Sequence, residues 1–467
     1  SNDGFNWSGP SMILPFRGNF QKAVPPGASS PLWEVWYPTL HDKSNPGGQI
    51  GEEAYLIWVD PQAISESGYN QSLNPRRDVK ILPINFNEHE ISSFEITHTN
   101  VNIPEDSSPG DGYCDNGYGR CSLITAITES ESRPPWIDSS IPLTITIGDS
   151  APDTLTEDYL ARINKRTIID GTAHQDFTVN SLNIENGWNG TYGVHIKPGF
   201  VFESGEGHEL KGIDVQGVDI GGGEDGSQTS SISITQSKIN SLTLNNAHTS
   251  GVQVGGMSAD SANIIGQLVF NGGNNIIRGN HIGHDGSNSM VPSDETVVEM
   301  NANNRLEGNV IASKSNILMN FGSSDASGNT VKNNYFGSLP WSTTALGSSS
   351  AAIKIVEAQA NHFEGNTIQH SNTLGGEAAV FVLDANENLF YSNTISNNTS
   401  HGIRISGSSA GNIIGTPSKG NIIHDNTGVG VNFLVNNEVG NPVKSNRIYN
   451  NGLGSIANYT HIIPLGV

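Results

Sequence analysis

The chain has 467 residues, of which 54 are glycine, and 15% of them carry a charged side chain. Its formal net charge of −23, from 46 acidic and 23 basic residues, argues against a nucleic-acid-binding protein, which needs a basic surface to contact phosphates. The acidity fits a secreted protein that meets neutral or cationic partners. No run of eighteen apolar residues occurs, so the sequence predicts no membrane span.

Residues 1–105 differ from the rest of the chain and predict a β-rich N-terminal domain or cap. Four of the seven tryptophans lie in this part. Short β-type runs such as AYLIWV and VKILPINF alternate with clusters of Pro, Gly and Asn, which are typical of turns.

Residues 106–135 contain both cysteines of the chain, Cys114 and Cys121. Their close spacing predicts one small disulfide loop of an exported protein. Leu123, Ile124 and Ile127 follow at the spacing of one apolar face of a short helix. We expect this helix to cap a solenoid, because the first coil of a solenoid exposes an apolar end.

Residues 136–467 contain an eight-residue phrase: Asn, any residue, apolar, any residue, a small turn-former, Asn, any residue, apolar. Seven copies start 20 to 33 residues apart, a period of stacked solenoid coils. The copies start at Asn275, Asn304, Asn329, Asn361, Asn388, Asn421 and Asn441. The sixth position of each copy is Asn280, Asn309, Asn334, Asn366, Asn393, Asn426 or Asn446.

The two apolar positions of the phrase are five residues apart, whereas an uninterrupted strand returns to one face every second residue. The chain must therefore turn a corner between them, and the fifth position supplies a residue that tolerates positive φ or bonds to its own backbone. One asparagine per coil at the sixth position predicts a ladder of hydrogen-bonded amides at the bend. The sequence thus predicts an all-β chain that forms a right-handed parallel β-helix.

The fourth position of the phrase should point outward, and its first four occupants are Arg278, Glu307, Lys332 and Glu364. One interpretation is a ladder of ion pairs between coils. The other makes Glu307 and Glu364 catalytic, because two coils separate them by about 9–10 Å, near the spacing of glycosidase carboxylates. We favour the ladder, since Lys332 between them would keep both carboxylates ionised.

Further polar residues are candidates for binding or catalysis. His281 lies in the turn-like string HIGHDG and is a third catalytic candidate, although a hydrogen-bonded turn is favoured over a metal site there. His362, Tyr391 and Arg404 lie on later coils and are candidates for ligand binding. A convergence of His362, His370, His401 and Arg404 on one groove is a further hypothesis.

Asp111 and Asp115, or the segment 221–226, offer oxygen ligands for a structural Ca²⁺ ion. Neither has the spacing of an EF-hand. The sequence predicts no other cofactor, and it has no phosphate-binding loop, GxSxG elbow or HExxH string.

Several strings resemble one family. Cys121-Ser122-Leu123 with Ala126-Ile127, after Cys114, resembles the Cys-Ser-Leu-Arg-Glu-Ala motif of bacterial extracellular proteins, with Ile124 and Thr125 in place of Arg and Glu. The strings TIIDGT, AGNIIG and NRIYNNGLG also resemble that group. The resemblance implies a right-handed β-helix that begins near the motif, and it implies no particular activity.

Two functions remain open. The first is a secreted or cell-surface scaffold, similar to an adhesin, that binds a glycan or another surface partner along its side. The second is a carbohydrate-active enzyme, a hydrolase rather than a lyase, that uses carboxylates on the outer sheet face. The C-terminal stretch shows no capping helix, so we expect this end to dock onto a further domain or subunit.

Overall fold

The computed structural model describes sixteen stretches of the chain. They are residues 39–42, 53–60, 78–85, 93–98, 114, 121–132, 142–156, 161–221, 229–230, 232–245, 251–286, 296–314, 317–342, 344–371, 378–435 and 440–458. Two compact units result, Ser1–Ile91 and Ser92–Val467. The predicted Ca²⁺ ligands Asp111 and Asp115 and the segment 222–226 lie outside the described residues.

The first unit contains one antiparallel sheet. Its strands are Thr39–Asp42, Glu53–Asp60 and Asp78–Asn85, with Glu53–Asp60 in the middle. The two longer strands coincide with the β-type runs AYLIWV and VKILPINF.

The second unit is a stack of coils whose strands form three parallel faces. Face 1 has twelve strands. They are Ser93–Glu95, Leu143–Thr146, Thr167–Asp170, Glu209–Lys211, Ser233–Thr235, Gln253–Val254, Ile276–Arg278, Arg305–Glu307, Thr330–Lys332, His362–Glu364, Leu389–Tyr391 and Ile413–Ile414. Each strand pairs in parallel with the strand of the next coil, as a β-helix requires.

Faces 2 and 3 share four long strands in the early coils and separate later. The shared strands are His195–Phe202, Asp214–Ile220, Lys238–Leu244 and Ile264–Phe270. Face 2 begins with Thr154–Thr156 and continues as His281–Ile282, Val310–Ile311, Tyr335–Phe336, Thr367–Gln369, Thr394–Ser396, Ile422–His424 and Arg447–Tyr449. Face 3 begins with Ala161–Ile163 and continues as Thr296–Glu299, Ile317–Phe321, Ile353–Val356, Ala378–Leu383, His401–Gly407, Val431–Val435 and Ile456–Ala457. A short parallel pair, Gly205–Glu206 with Thr229–Ser230, stands apart from the faces.

The core of the coils consists of the inward apolar positions that the phrase predicts. The third-position residues Leu306, Val331 and Phe363 are fully buried, as are the eighth-position residues Ile311 and Phe336. Aligned side chains stack from coil to coil. Burial of each large apolar side chain contributes about 1.5–3 kcal/mol.

Two asparagine ladders run through the stack, in which each asparagine donates from its side-chain amide or its backbone N–H to the side-chain oxygen of the asparagine in the next coil. The first comprises Asn275, Asn304, Asn329, Asn361, Asn388, Asn412 and Asn441. The second comprises Asn263, Asn280, Asn309, Asn334, Asn366, Asn393, Asn421 and Asn446. The predicted ladder at the sixth position is therefore confirmed for all of its members except Asn426, and the first position carries a ladder of its own.

One predicted copy of the phrase was wrong. Asn421 does not start a copy, because it stacks beneath Asn393 in the second ladder, and Asn412 occupies the first position of that coil. Asn426 belongs to a third, shorter ladder with Asn398 and Asn451. The physical reason is a turn closed between Thr416 and Lys419, which lengthens the first corner of this coil and displaces the pattern.

A second correction concerns the boundary near residue 105. Strand Ser93–Glu95 pairs with Leu143–Thr146 on face 1, so the β-helix unit begins before that boundary. The helix spans Leu123–Ser132, packs against Leu143–Thr146 and Ala161–Ile163, and buries Leu123, Ile124 and Ile127 as predicted. Cys114 and Cys121 form the disulfide. Within the described part of the chain, no helix is both long and apolar enough to cross a membrane.

Left-handed backbone precedes many of the ladder asparagines, and Ala360 is one residue in this state, with φ 56°. This conformation costs a residue with a Cβ about 1–2 kcal/mol, whereas glycine adopts it freely. We expect Ala360→Gly to raise the free energy of unfolding by about 0.5–1 kcal/mol, measured by denaturant unfolding. Gly328, with φ 72°, is the matched position, because it also directly precedes a ladder asparagine. Gly328→Ala should lower the free energy of unfolding. Equal effects of both substitutions would contradict this account.

Candidate functional site

A long excursion between two coils, residues 171–193, lies over the outer side of face 2 and is named the cover loop. Its two arms meet in an antiparallel bridge between Thr178 and Thr191, and its tip contains the short turn Ile184–Asn186. Tyr335 Oη donates a hydrogen bond to Glu185 Oε1 at 3.0 Å, 150 residues later in the chain. From His195 to Tyr335 the loop extends along six rung spacings of face 2, about 29 Å.

The tip of the cover loop is anchored by apolar packing. Ile184 and the ring of Trp341 pack against a buried cluster that includes Leu339 and Leu346. Gly187 approaches this region so closely that a Cβ at this position would lie 3.2 Å from the carbonyl oxygen of Gly286. The tip of the cover loop is thus anchored to coils several rungs away from the coil that the loop leaves.

Three side chains on successive rungs form a charged row near the start of face 2. His195, Asp214 and Lys238 are in register. Lys238 Nζ donates to Asp214 Oδ2 at 2.8 Å, and His195 Nδ1 lies 3.4 Å from Asp214 Oδ1, outside hydrogen-bond geometry. The side chains of His195 and Lys238 are 28% and 31% exposed, so a ligand could reach the row from solvent.

Tyr192, at the end of the cover loop, lies close enough to Asp214 for its charge to act on the phenol. Its ring stacks on Trp188, with ring centroids 5.8 Å apart. Burial, and then the negative charge of Asp214, raises the pKa of Tyr192 well above its usual value. Tyr192 is therefore protonated at neutral pH, and its hydroxyl can donate a hydrogen bond to a ligand or give its proton to a strongly basic centre that forms beside it.

Tyr192, His195, Asp214 and Lys238 are named the acid–base cluster. Tyr192 Oη, His195 Nδ1 and Asp214 Oδ1 are buried atoms to which no described residue hydrogen-bonds. Leaving a buried polar atom unpaired costs about 1–3 kcal/mol, so three in one cluster indicate a place for a polar ligand. An imidazole beside a carboxylate, together with a protonated phenol, can accept and donate protons.

A second polar cluster lies further along face 2, beneath the cover loop. His281 and His284 are fully buried, with ring centroids 5.1 Å apart. Trp188 meets His281 edge-on at 6.0 Å, and Trp341 meets it at 5.3 Å. His281, a catalytic candidate from the sequence, is therefore enclosed by rings, and His284 Nδ1 accepts a hydrogen bond from Gly286 N in the predicted turn.

The structure places Glu307 and Glu364 on face 1, two coils apart as predicted. Glu364 accepts a hydrogen bond from Lys419 at 2.9 Å and pairs with Lys332 at 3.2 Å. The hydrogen bond from Lys419, followed by the contacts with Lys332, lowers the pKa of Glu364. Glu307 pairs with Arg305 of its own strand at 2.8 Å. The ion-pair ladder is thus present at Lys332 and Glu364.

The three candidates for ligand binding lie on two faces. His362 and Tyr391 are on adjacent strands of face 1, where Lys419 Nζ lies 5.1 Å from the centre of the Tyr391 ring. Arg404 is on face 3, where its guanidinium lies over Phe381 and Nε donates to a neighbouring serine. The structure therefore does not bring Arg404 into one groove with His362.

Asp153, His174 and Asp176 form a group whose side-chain atoms could in principle approach one metal ion. His174 Nδ1 accepts a hydrogen bond from the backbone N–H of Asp176 at 3.2 Å. The proton of the neutral imidazole is then on Nε2, the atom that faces Asp153. This arrangement does not fit a metal site, because a metal needs the Nε2 lone pair.

The sequence reading missed the acid–base cluster. One signal was available: an outward residue directly before an inward Ile or Val recurs as His195-Ile196, Asp214-Val215, Lys238-Ile239 and His281-Ile282. Aligning these pairs would have placed the outward residues in one row. The position of Tyr192 had no such signal, because the path of the cover loop depends on contacts with distant coils.

No curated protein matches the sequence. Among solved structures, the chain is similar to the A-module of mannuronan C-5 epimerase AlgE6 from Azotobacter vinelandii, with 11% identity, a TM-score of 0.37, and coverage of 75% of this chain and 96% of that one. The A-module of AlgE4 from the same organism has 14% identity, a TM-score of 0.33, and coverage of 75% and 94%. A family model described as a right-handed β-helix region matches residues 325–461. With the parallel register of its three faces, the β-helix unit is a right-handed parallel β-helix.

Proposed function

We propose that this chain binds a glycan along the early coils of face 2 and acts on it by proton transfer at the acid–base cluster. The observation that carries the proposal is the group of three unpaired buried atoms on Tyr192, His195 and Asp214, beside an accessible row of side chains. These atoms call for hydroxyl or carboxyl groups as partners, and a glycan offers both.

The surroundings of the cluster support an extended sugar chain as the ligand. Trp188, a partly exposed aromatic residue of the cover loop, stacks on Tyr192 of the cluster, and sugar rings pack on aromatic faces. Successive rungs of face 2 are about 4.8 Å apart, close to the length of one sugar unit. A glycan laid along the row could therefore place one sugar at each of its three partly exposed rungs, those of His195, Asp214 and Lys238.

The roles follow from the charges. Lys238 donates a hydrogen bond to Asp214, and Asp214 lies beside His195, where it would stabilise the imidazolium that forms when His195 accepts a proton from the sugar. The proton comes from a sugar carbon next to a carboxyl group, and the electrons of the broken C–H bond move onto that carboxyl group. Tyr192 then gives a proton either to the same carbon from the opposite face, which inverts it, or to the glycosidic oxygen of the next carbon, whose C–O bond breaks as a C=C bond forms. Elimination and inversion at a sugar carbon are the two reactions of this kind.

Other functions have less support. A hydrolase with Glu307 and Glu364 as its carboxylate pair needs one protonated partner, and the lysines beside Glu364 lower the pKa of that carboxyl. Binding without turnover, as in a surface scaffold or adhesin, would use the same accessible row. The disulfide between Cys114 and Cys121 supports an extracellular or cell-surface location in either case.

The test is a screen of neutral and acidic polysaccharides incubated with the protein in D₂O. Proton transfer to or from carbon incorporates deuterium or forms an unsaturated end, and both are visible by NMR. We expect His195→Gln to lower the rate by about 10²–10⁴-fold. His424→Gln is the matched control, because His424 is also a partly exposed histidine of face 2 beside an aspartate. If a glycan binds but gains no deuterium and is not cleaved, the scaffold function is the one that remains. If His195→Gln and His424→Gln turn over the glycan at equal rates, the proposed site is wrong.

A further inference from the structure

The two buried histidines beneath the cover loop are held without charge. His284 uses both ring nitrogens: Nδ1 accepts from Gly286 N at 3.1 Å, and Nε2 donates to the carbonyl oxygen of Val310 at 3.3 Å. Neither ring nitrogen of His281 is hydrogen-bonded to a described residue. A proton added to His284 Nδ1 would face the N–H of Gly286 and lack an acceptor, whereas a proton on His281 has only the backbone of Gly187 as a weak partner.

The elements that pack around the pair offer little to stabilise a positive charge. The cover loop contributes the ring of Trp188 and a backbone contact from Gly187, and the segment after Tyr335 contributes the ring of Trp341. Among the residues that the structure describes, Asp285 is the carboxylate whose charge acts on His284. Glu185, the acidic residue at the loop tip, is engaged by Tyr335.

These surroundings lower the basicity of both rings. Burial, and then the neighbouring imidazole of His284, places the pKa of His281 well below its usual value, against a weaker effect of Gly187. Burial lowers the pKa of His284 to about 4, although the Val310 carbonyl and Asp285 oppose the shift. The effect on His281 depends on the cover loop, because Trp188 and Gly187 of that loop lie against its ring.

We propose that His281 and His284 form a pH-sensitive latch, whose protonation releases the cover loop from face 2 and moves Tyr192 away from His195 and Asp214. The release itself stands on the geometry of the buried pair. Its consequence for activity rests on the function proposed above.

The direction of the pH effect follows from how strongly the two histidines bind protons when the loop covers them and when it is released. In the released state both imidazoles meet water and bind protons with an ordinary pKa of about 6.5, whereas the covered state binds them more weakly. The covered state is thus fully favoured above this pKa, and it loses stability as the pH falls from about 6.5 toward about 4. The ratio of covered to released loop should fall about tenfold per pH unit for each histidine that titrates.

Hydrogen exchange followed by mass spectrometry on the full chain tests the latch. We compare backbone protection of residues 178–191 with that of residues 389–396, which lie in the coil stack, between about pH 7.5 and about pH 5, corrected for intrinsic exchange rates. We expect protection of the loop to fall at least tenfold per pH unit below about 6.5 while the coil stack stays protected. Equal changes in both segments, or none in the loop, would overturn the proposal.

His281→Phe is the decisive variant, because phenylalanine keeps a flat ring between the tryptophans and removes the base. In the wild-type chain each histidine that titrates contributes a loss of loop protection of about tenfold per pH unit. His281→Phe should lack one of these contributions, because one histidine no longer titrates. His424→Gln, which changes a histidine outside the enclosure, should leave the pH dependence unchanged. Unaltered pH dependence in His281→Phe would contradict the role of His281.

A second measurement uses the wild-type chain, so that the latch can be tested even if His281→Phe does not fold. In the wild-type chain with ¹³C-labelled histidine, the signals of the two buried rings should move to the protonated position together with loop release. Rings that protonate while the loop stays protected would overturn the latch. If the loop is released but no glycan is altered at any pH, the latch stands and the proposed function fails. If glycans are altered while loop protection is constant with pH, the latch alone fails.

Discussion

Tyr192→Phe should lower the rate of glycan turnover by about 10²–10⁴-fold, the usual contribution of one positioned proton donor. The substitution removes a single oxygen atom and keeps the ring that stacks on Trp188. The unfolding free energy should change by less than about 1 kcal/mol, because Tyr192 Oη has no hydrogen-bond partner among the described residues. A large loss of rate with an intact fold would separate proton donation from a structural role.

The measurement is the initial rate on the best substrate of the screen, together with denaturant unfolding of the same preparation. Tyr449→Phe is the matched control, since Tyr449 is a partly buried tyrosine of face 2 that stacks on His424, far along the coils from the cluster. It should retain its rate within about twofold. A Tyr192→Phe protein with undiminished turnover would exclude Tyr192 as the acid.

Asn366→Asp should lower the free energy of unfolding by more than about 3 kcal/mol. Asn366 Oδ1 accepts hydrogen bonds from the backbone and side chain of Asn334. Its Nδ2 donates to the carbonyl oxygen of Val331 at 2.9 Å and to Asn393 Oδ1 at 3.0 Å. Aspartate keeps the accepting oxygen but turns a second oxygen, with negative charge, toward two buried acceptors.

Denaturant unfolding followed by circular dichroism measures this loss. Asn386→Asp is the control, because Asn386 is partly exposed and uses its oxygen to accept from Ala410 N, which an aspartate can also do. Its effect should stay within about 0.5 kcal/mol. If the two substitutions cost the same, the second ladder would not be a main source of stability.

The fold could be predicted in detail wherever its cause was local and periodic. Gly279, Gly308 and Gly365 have positive φ before the ladder asparagines, as the fifth position of the phrase requires. The one misplaced copy, at Asn421, shows the limit of a fixed spacing. The inserted turn between Thr416 and Lys419 shifted the asparagine pattern by one face of the coil. Only the hydrogen bond between Asn393 and Asn421 reveals this register.

The candidate site was less predictable because its parts come from distant coils. The sequence indicated Glu307 and Glu364 as outward carboxylates, but in the structure both form ion pairs with basic side chains. Tyr192 and Asp214 are brought together by a loop that is held at its tip by Tyr335, whose place in the sequence is far away.

The sequence by itself determined the right-handed β-helix, the inward apolar rows, the amide ladder, and the disulfide and helix at the start of the coils. Each of these follows from a repeated local preference that is summed over many coils. The tertiary structure alone decided which outward side chains meet, because coils of unequal length set the register. It also decided that one loop crosses several coils, encloses two histidines, and places a tyrosine at the acid–base cluster.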